Sequence, residues 1–163
     1  MTSPAFFIRP EAEDDHIEPL LDDAFGPGRY TRTAYRLREG VAEVSELAFV
    51  AQSGGKIVGS LKYWPVRIGS GHRALLLGPL AVHRDWRGKG CGLALMQHTL
   101  PLAAQMDHRL VILVGDLPYY GRAGFTQVPT GTIQLSGPVD PVRLLWLELV
   151  SGASRDVGGL IGS

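Results

Sequence analysis

One cysteine in 163 residues, Cys91, leaves no partner for an intramolecular disulfide and fits a reducing cytoplasm. No window approaches eighteen consecutive apolar residues, so no membrane-spanning helix is expected. The N-terminal MTSPAFFIRPEAEDD has neither the basic start nor the apolar core of a signal peptide. Net charge is lacking too: 16 Lys and Arg balance 16 Asp and Glu. Nothing global therefore favours a nucleic acid or a membrane surface, and any anion must be bound by a local cluster. With 45% apolar and 20% charged residues the chain reads as one soluble globular domain over residues 1–163. There is no internal repeat, no linker and no ligand set for a metal. The glycine-rich end, about residues 152–163, is expected to fray as a flexible tail.

What is present is concentrated between Leu75 and Gly92, in LLLGPLAVHRDWRGKGCG. The run LLLGPLAV is long enough for a strand buried on both faces. A basic turn follows at His83–Trp86, then Arg87-Gly88-Lys89-Gly90-Cys91-Gly92, then LALMQHTLPLAAQM with helical spacing. Strand, glycine-rich turn and helix aim free N–H groups and a positive dipole end at an anion. Glycines let a phosphate approach the backbone closely. A P-loop fails on spacing, since Lys89 is followed by Gly90 and no hydroxyl. A dinucleotide fingerprint fails too, because Gly88, Gly90 and Gly92 read G-x-G-x-G.

Elsewhere the pattern predicts a strand at Ala5–Arg9, a helix over Glu11–Phe25 and a basic helix over Tyr30–Glu39. Strands at Glu46–Gln52 and Lys56–Val66 flank a Ser53-Gly54-Gly55 turn. Further strands fall at Arg73–Val82, Arg109–Val114, Phe125 onward, Ile133–Leu135 and Arg143–Val150. Gly78-Pro79 inside the fourth strand marks a bulge or break, because proline cannot donate to a ladder. Pro101 is expected to kink its helix near Gln97–Pro101.

Arg87, Gly90 and Gly92 satisfy R-x-x-G-x-G, Leu80-Ala81-Val82 reads L-x-V just before it, and Tyr120-Gly121-Arg122-Ala123-Gly124-Phe125 reads Y-x-x-x-G-F. In this order and spacing the motifs, covering about residues 75–126, resemble the GCN5-related N-acetyltransferase (GNAT) superfamily. VGDLPYYGRAGF is most similar to its YhbS-like bacterial subgroup. The resemblance implies an α/β, three-layer sandwich whose mixed, mostly antiparallel sheet splays between two parallel strands. It implies an acetyl-CoA-dependent N-acetyltransferase with a small-molecule or peptide amine acceptor, and commonly a homodimer.

The coenzyme residues it implies are Leu80, Ala81 and Val82 along the pantetheine, and Arg87, Gly88, Lys89, Gly90, Cys91 and Gly92 around the diphosphate. Arg73 and Arg84 add to the positive charge. The Leu80 amide becomes the oxyanion donor and Tyr120 the general acid. Cys91 at a helix start is also weighed as a nucleophile. For the base the chain offers Asp116, His83, Glu46 and Glu148, and spacing does not choose, although Asp116 lies between the strand and Tyr120. Freeing a lysine-like amine of its proton at pH 7 costs about 4.6 kcal/mol, so a base helps. The segment Gly115-Asp116-Leu117-Pro118 is shorter than the family's Asn-x-x-Ala stretch, which abbreviates the contacts it supplies. A non-catalytic acyl-CoA-binding module, and an enzyme acting on a protein or aminoacyl-tRNA, are the rival readings; neutral charge disfavours tRNA.

Overall fold

The computed structural model describes residues 5–25, 37–38 and 40–162. The basic helix expected over Tyr30–Glu39 lies outside them, apart from Leu37 and Arg38. The main sheet runs β1(Phe7–Pro10), β2(Phe49–Ser53), β3(Lys56–Ile68), β4(His72–Val82), β5(Leu110–Val114), β8(Leu144–Glu148), β6(Thr126–Gln127), in that spatial order. A parallel pair, β7(Ile133–Gln134) and β9(Gly159–Gly162), joins it through β3. In the main run all neighbours are antiparallel except β4 and β5. Those two need a crossover, which α2(Cys91–Gln105) supplies.

The strands alternate as two covered faces require. Phe49, Ala51, Leu61, Tyr63, Leu75, Leu77, Val111 and Leu113 pack with Leu95, Met96 and Leu100 of α2. On the opposite face Val50 and Ala81 receive Ile17, Leu20 and Leu21 at α1(Glu18–Phe25), while Val66, Ile68, Leu76 and Ile112 pack with Ile133, Val157 and Ile161. The expected layered α/β architecture is what the chain adopts. Helix α2 lies close on β3, since a β-carbon on Gly59 would meet Cys91 Sγ at 2.7 Å and Leu95 Cδ1 at 3.1 Å. It continues through Pro101 as one element, with that proline on the exposed side. Thr99 on the buried side returns a hydrogen bond to Leu95 O at 2.8 Å and meets Tyr63 Oη at 2.7 Å.

Two expectations need correction. Helix α1 begins at Glu18 rather than Glu11. Asp15 is drawn into a turn, accepting from Ala12 N at 2.7 Å and from both ends of the Arg9 fork at 2.8 Å. A carboxylate committed to a strand-borne guanidinium holds its segment off the helix. The tail does not fray either, because Val157 and Ile161 are buried and β9 pairs Ile161 with Ile68. Glycines 158 and 159 make this possible: a β-carbon on Gly159 would sit 2.9 Å from Gly69 Cα, so only glycine lets the two chains meet.

The Arg9–Asp15 tie makes stability depend on acid. Arginine lowers the Asp15 pKa to about 2, mainly through the hydrogen bond. Its stabilisation is therefore complete above about pH 4 and is lost as pH falls towards 2; Asp15→Asn should flatten that limb of an acid-denaturation curve. Ile161→Ala should cost about 2–4 kcal/mol in urea unfolding. Leu160→Ala, at a 58% exposed neighbour, should cost less than about 0.5 kcal/mol.

Candidate active site

The sheet divides within β4. Its pairing with β5 consists of Leu75↔Val111 and Leu76↔Ile112 and stops there. Beyond that point β5 stays with β8 up to Val114↔Leu144, while β4 stays with β3 up to Val82↔Gly59. A cleft therefore opens between residues 77–82 and the end of β5.

The β3–β4 register shows the cause. Leu61 faces Leu80 and Tyr63 faces Leu77, so β4 carries one extra residue at Gly78-Pro79. The insertion reverses the alternation: Leu75 and Leu77 point to the α2 face below it, Leu80 and Val82 above it. Gly78 has φ +133°, and Arg38 Nη2 lies 2.9 Å from where its β-carbon would be. The Trp64 indole on β3 donates to Gly78 O at 2.6 Å, satisfying a carbonyl the bulge removes from the ladder. The expected break at this dipeptide is present.

Above the bulge, His83 N donates to Val58 O at 2.8 Å, which sets the phase of the ladder. Antiparallel residues alternate in bonding, so Ala81 bonds to β3, whereas the main-chain groups of Leu80 and Val82 point the other way, into the cleft. No described residue pairs with them. The amide of Leu80 thus faces the cleft, and Pro79 before it has no N–H to offer.

At the top of the cleft the chain makes a single 3-10 turn, Arg84–Trp86, and then a loop. Gly88 and Gly90 are left-handed at φ +76° and +82°. Gly90 begins α2 without a side-chain cap, and the first intrahelical bond is Ala94 N to Gly90 O at 2.9 Å. Among the described residues nothing accepts from the amides of residues 88–93. They form a concave row of donors at the positive end of a fifteen-residue helix. Arg87 and Lys89 are exposed on this loop, and Lys89 Nζ stands 5.5 Å over the Trp86 ring.

Other predicted residues fall elsewhere. Arg84 is an ion-pair partner of Asp23 on α1. Arg73 pairs opposite Arg67 at the far end of β4, about 30 Å of strand from Val82, so it adds nothing to the loop's charge. The Cys91 thiol turns into the core, 1% exposed, and burial pushes its pKa up to about 11. A helix start usually lowers a thiol's pKa, but here desolvation prevails, so Cys91 offers the site its amide and not a nucleophile. Alkylation of Cys91 at pH 8 should be more than about a hundredfold slower than that of an unfolded cysteine, until denaturant exposes it.

Of the four base candidates, Glu46 and Glu148 lie at the other end of the sheet. Glu46 is near His108, beyond the C-terminal end of α2, and Glu148 faces Leu110 at the start of β5. Backbone amides, Glu46's own and that of Ser154, followed by the Ser45 and Ser154 hydroxyls, hold the two carboxyls below their ordinary pKa. His83 faces a separate cavity of about 710 Å³ between α1 and the β2–β3 turn, with Lys56 Nζ 3.2 Å from its Nε2. Asp116 alone stands at the mouth of the cleft, 73% exposed and 3.2 Å from Arg143 Nε. It precedes α3(Leu117–Tyr120), whose Tyr119 and Tyr120 amides donate to its carbonyl at 3.1 and 3.0 Å.

The two tyrosines differ. Tyr120 packs over Gly115 and lies edge-on to Phe125 at 6.1 Å, and burial raises its phenol far above the ordinary range. Tyr119, which the motif does not single out, reaches across to Gly92. Among the described residues no group of three or more His, Cys, Asp or Glu is placed to hold a metal. No helix there is long and apolar enough to cross a membrane.

Comparison with known proteins agrees with this geometry. Residues 45–127 match the model of the acetyltransferase (GNAT) domain, so the chain belongs to the GNAT acetyltransferase family. It is similar to the GNAT-family N-acetyltransferase YhbS of Escherichia coli, solved with CoA, at 26% identity and a TM-score of 0.82. That match covers 99% of this chain and 92% of the other. A GNAT-family acetyltransferase of Brucella melitensis, solved with acetyl-CoA, shares 27% identity over 87% of this chain and 95% of its own, with a TM-score of 0.64. Arabidopsis thaliana Naa50, solved with a bisubstrate analogue, has the same fold at 19% identity and a TM-score of 0.59, covering 88% and 96%. No curated protein matches the chain.

Proposed function

We propose that the chain binds acetyl-CoA in this cleft and transfers its acetyl group directly to an amine. The observation that carries the reading is the continuity of free main-chain donors, from Leu80 and Val82 to the amides of residues 88–93, along one wall of a split sheet. A diphosphate suits the amides around Gly88 to Gly92, with Arg87 and Lys89 as flanking charges. The amide-rich pantetheine suits the edge of Leu80, Ala81 and Val82, where it extends β4 as an extra strand. Family membership and the coenzymes seen in the Escherichia coli and Brucella proteins support the same ligand.

In the transfer step the neutral amine nitrogen attacks the thioester carbon. The Leu80 N–H stabilises the oxygen as it becomes an anion, worth about 3–4 kcal/mol for a donor of this kind. As the tetrahedral species collapses the C–S bond breaks, and the departing thiolate takes its proton from Tyr120. Burial raises this phenol's pKa and so keeps the donor protonated as the sulfur departs; the tyrosine recovers its proton from water afterwards. The amine's proton passes to Asp116, the base candidate at the mouth, through water. The Cys91 thiol takes no part.

Calorimetry should detect coenzyme binding, and free thiol should appear when acetyl-CoA meets a suitable amine from a broad panel. Binding without thiol release from any amine would favour a non-catalytic module. Arg87→Glu with Lys89→Glu should weaken CoA binding about tenfold or more at low salt, and less at high salt. Tyr120→Phe should lower kcat about a hundredfold while changing the Kd for CoA less than about threefold; unchanged turnover removes Tyr120 as the acid.

A further inference from the structure

Gly92 has no backbone reason to be glycine. Gly88 and Gly90 take positive φ, but Gly92 is not among the residues that do. It sits in the first turn of α2, where alanine is the better helix former by about 1 kcal/mol. The reason is space. A β-carbon on Gly92 would overlap the Tyr119 hydroxyl, come within 3.1 Å of Tyr119 Cζ and lie 3.5 Å from Leu80 Cδ2. The phenol of α3 thus crosses the cleft and ends between the first turn of α2 and the Leu80 side chain. Its ring stands edge-on to Tyr120, centroids 4.9 Å apart at 84°. Among the described residues no group hydrogen-bonds the hydroxyl, and burial raises its pKa, so it remains a protonated donor at neutral pH.

We infer that the Tyr119 hydroxyl grips the coenzyme's pantetheine arm between diphosphate and thioester, donating a hydrogen bond to an amide carbonyl there. This rests on the coenzyme reading above. A diphosphate on the amides of residues 88–93 and a thioester carbonyl on the Leu80 amide leave the intervening arm to pass between Gly92 and Leu80. Those are the two residues that flank the hydroxyl. The stretch between β5 and Tyr120 is short, so a side chain of the four-residue α3 supplies this wall. Gly92 is then the seat of Tyr119, and a larger residue there would push the phenol into the arm's path.

The test is calorimetry with CoA and with adenosine 3′-phosphate 5′-diphosphate, a fragment that keeps the diphosphate and lacks the arm. Tyr119→Phe should bind CoA about five- to tenfold more weakly and bind the fragment as the parent does. Its kcat at saturating acetyl-CoA should stay within about twofold, the reverse of the split expected for Tyr120→Phe. Gly92→Ala should weaken CoA binding in the parent and much less in a Tyr119→Ala background. Unchanged CoA affinity in Tyr119→Phe, an equal loss for the fragment, or an equal penalty of Gly92→Ala in both backgrounds would overturn the assignment. Failure of the parent itself to bind CoA would sink the coenzyme reading instead, which keeps the two outcomes apart.

Discussion

A sheet can leave strand amides unsatisfied in its interior only if something else accepts from them. That constraint governs this molecule. The upper half of β4 is held by β3 on one side, and on the other its natural neighbour, β5, has turned away to follow β8. The groups of Leu80 and Val82 are therefore open to a partner outside the sheet. An extended, amide-bearing ligand can meet them in register, and the loop at Gly88–Gly92 lies where the charged end of such a ligand would emerge.

The split depends on one inserted residue. Without the bulge, β4 would continue with odd-numbered side chains facing α2 and would stay in step with β5. With it, Leu80 and Val82 replace residues 79 and 81 on the α2 face, Ala81 turns to α1, and the two halves of β4 serve two different pairings. Trp64 braces the displaced Gly78 carbonyl at 2.6 Å, and Arg38 Nη2 occupies the side where a β-carbon would stand. The bulge is thus fixed from the neighbouring strand as well as by its own backbone, which suits a feature that must not slip register.

Much of this was legible because it is local. The apolar run Leu75–Leu77, the Gly78-Pro79 break, the glycine loop and the crossover helix are written in consecutive residues, and the structure places each where the pattern put it. What was not legible depends on long-range partners. Asp15 looked like an acid in a first helical turn until Arg9 on β1 claimed it. The last residues looked like a frayed tail until Ile161 found Ile68, 93 positions earlier in the chain. Arg73 looked like part of a basic cluster because sequence distance hides that β4 is fully extended. The helix position of Cys91 says nothing about the β3 wall at Gly59 that buries its thiol. Tyr119 was overshadowed by a motif centred on its neighbour; the one available signal was a glycine at 92 in a helical turn that gave it no conformational work.

The glycines around the cleft show why composition alone understates such a site. Gly90 is needed for its dihedrals, since it turns the loop into α2 at φ +82° where an added β-carbon would meet nothing within 4 Å. Gly78 is needed for both dihedrals and room, with φ +133° and a guanidinium alongside. Gly92 is needed for room alone. Three identical residues therefore respond differently to the same change. Alanine at 90 strains the backbone and leaves its surroundings untouched, whereas alanine at 92 costs the helix nothing and displaces a phenol. A glycine whose dihedrals any residue could adopt points to whatever occupies the space its side chain would fill, and here that is a hydroxyl standing between the donors that would hold the two ends of one ligand.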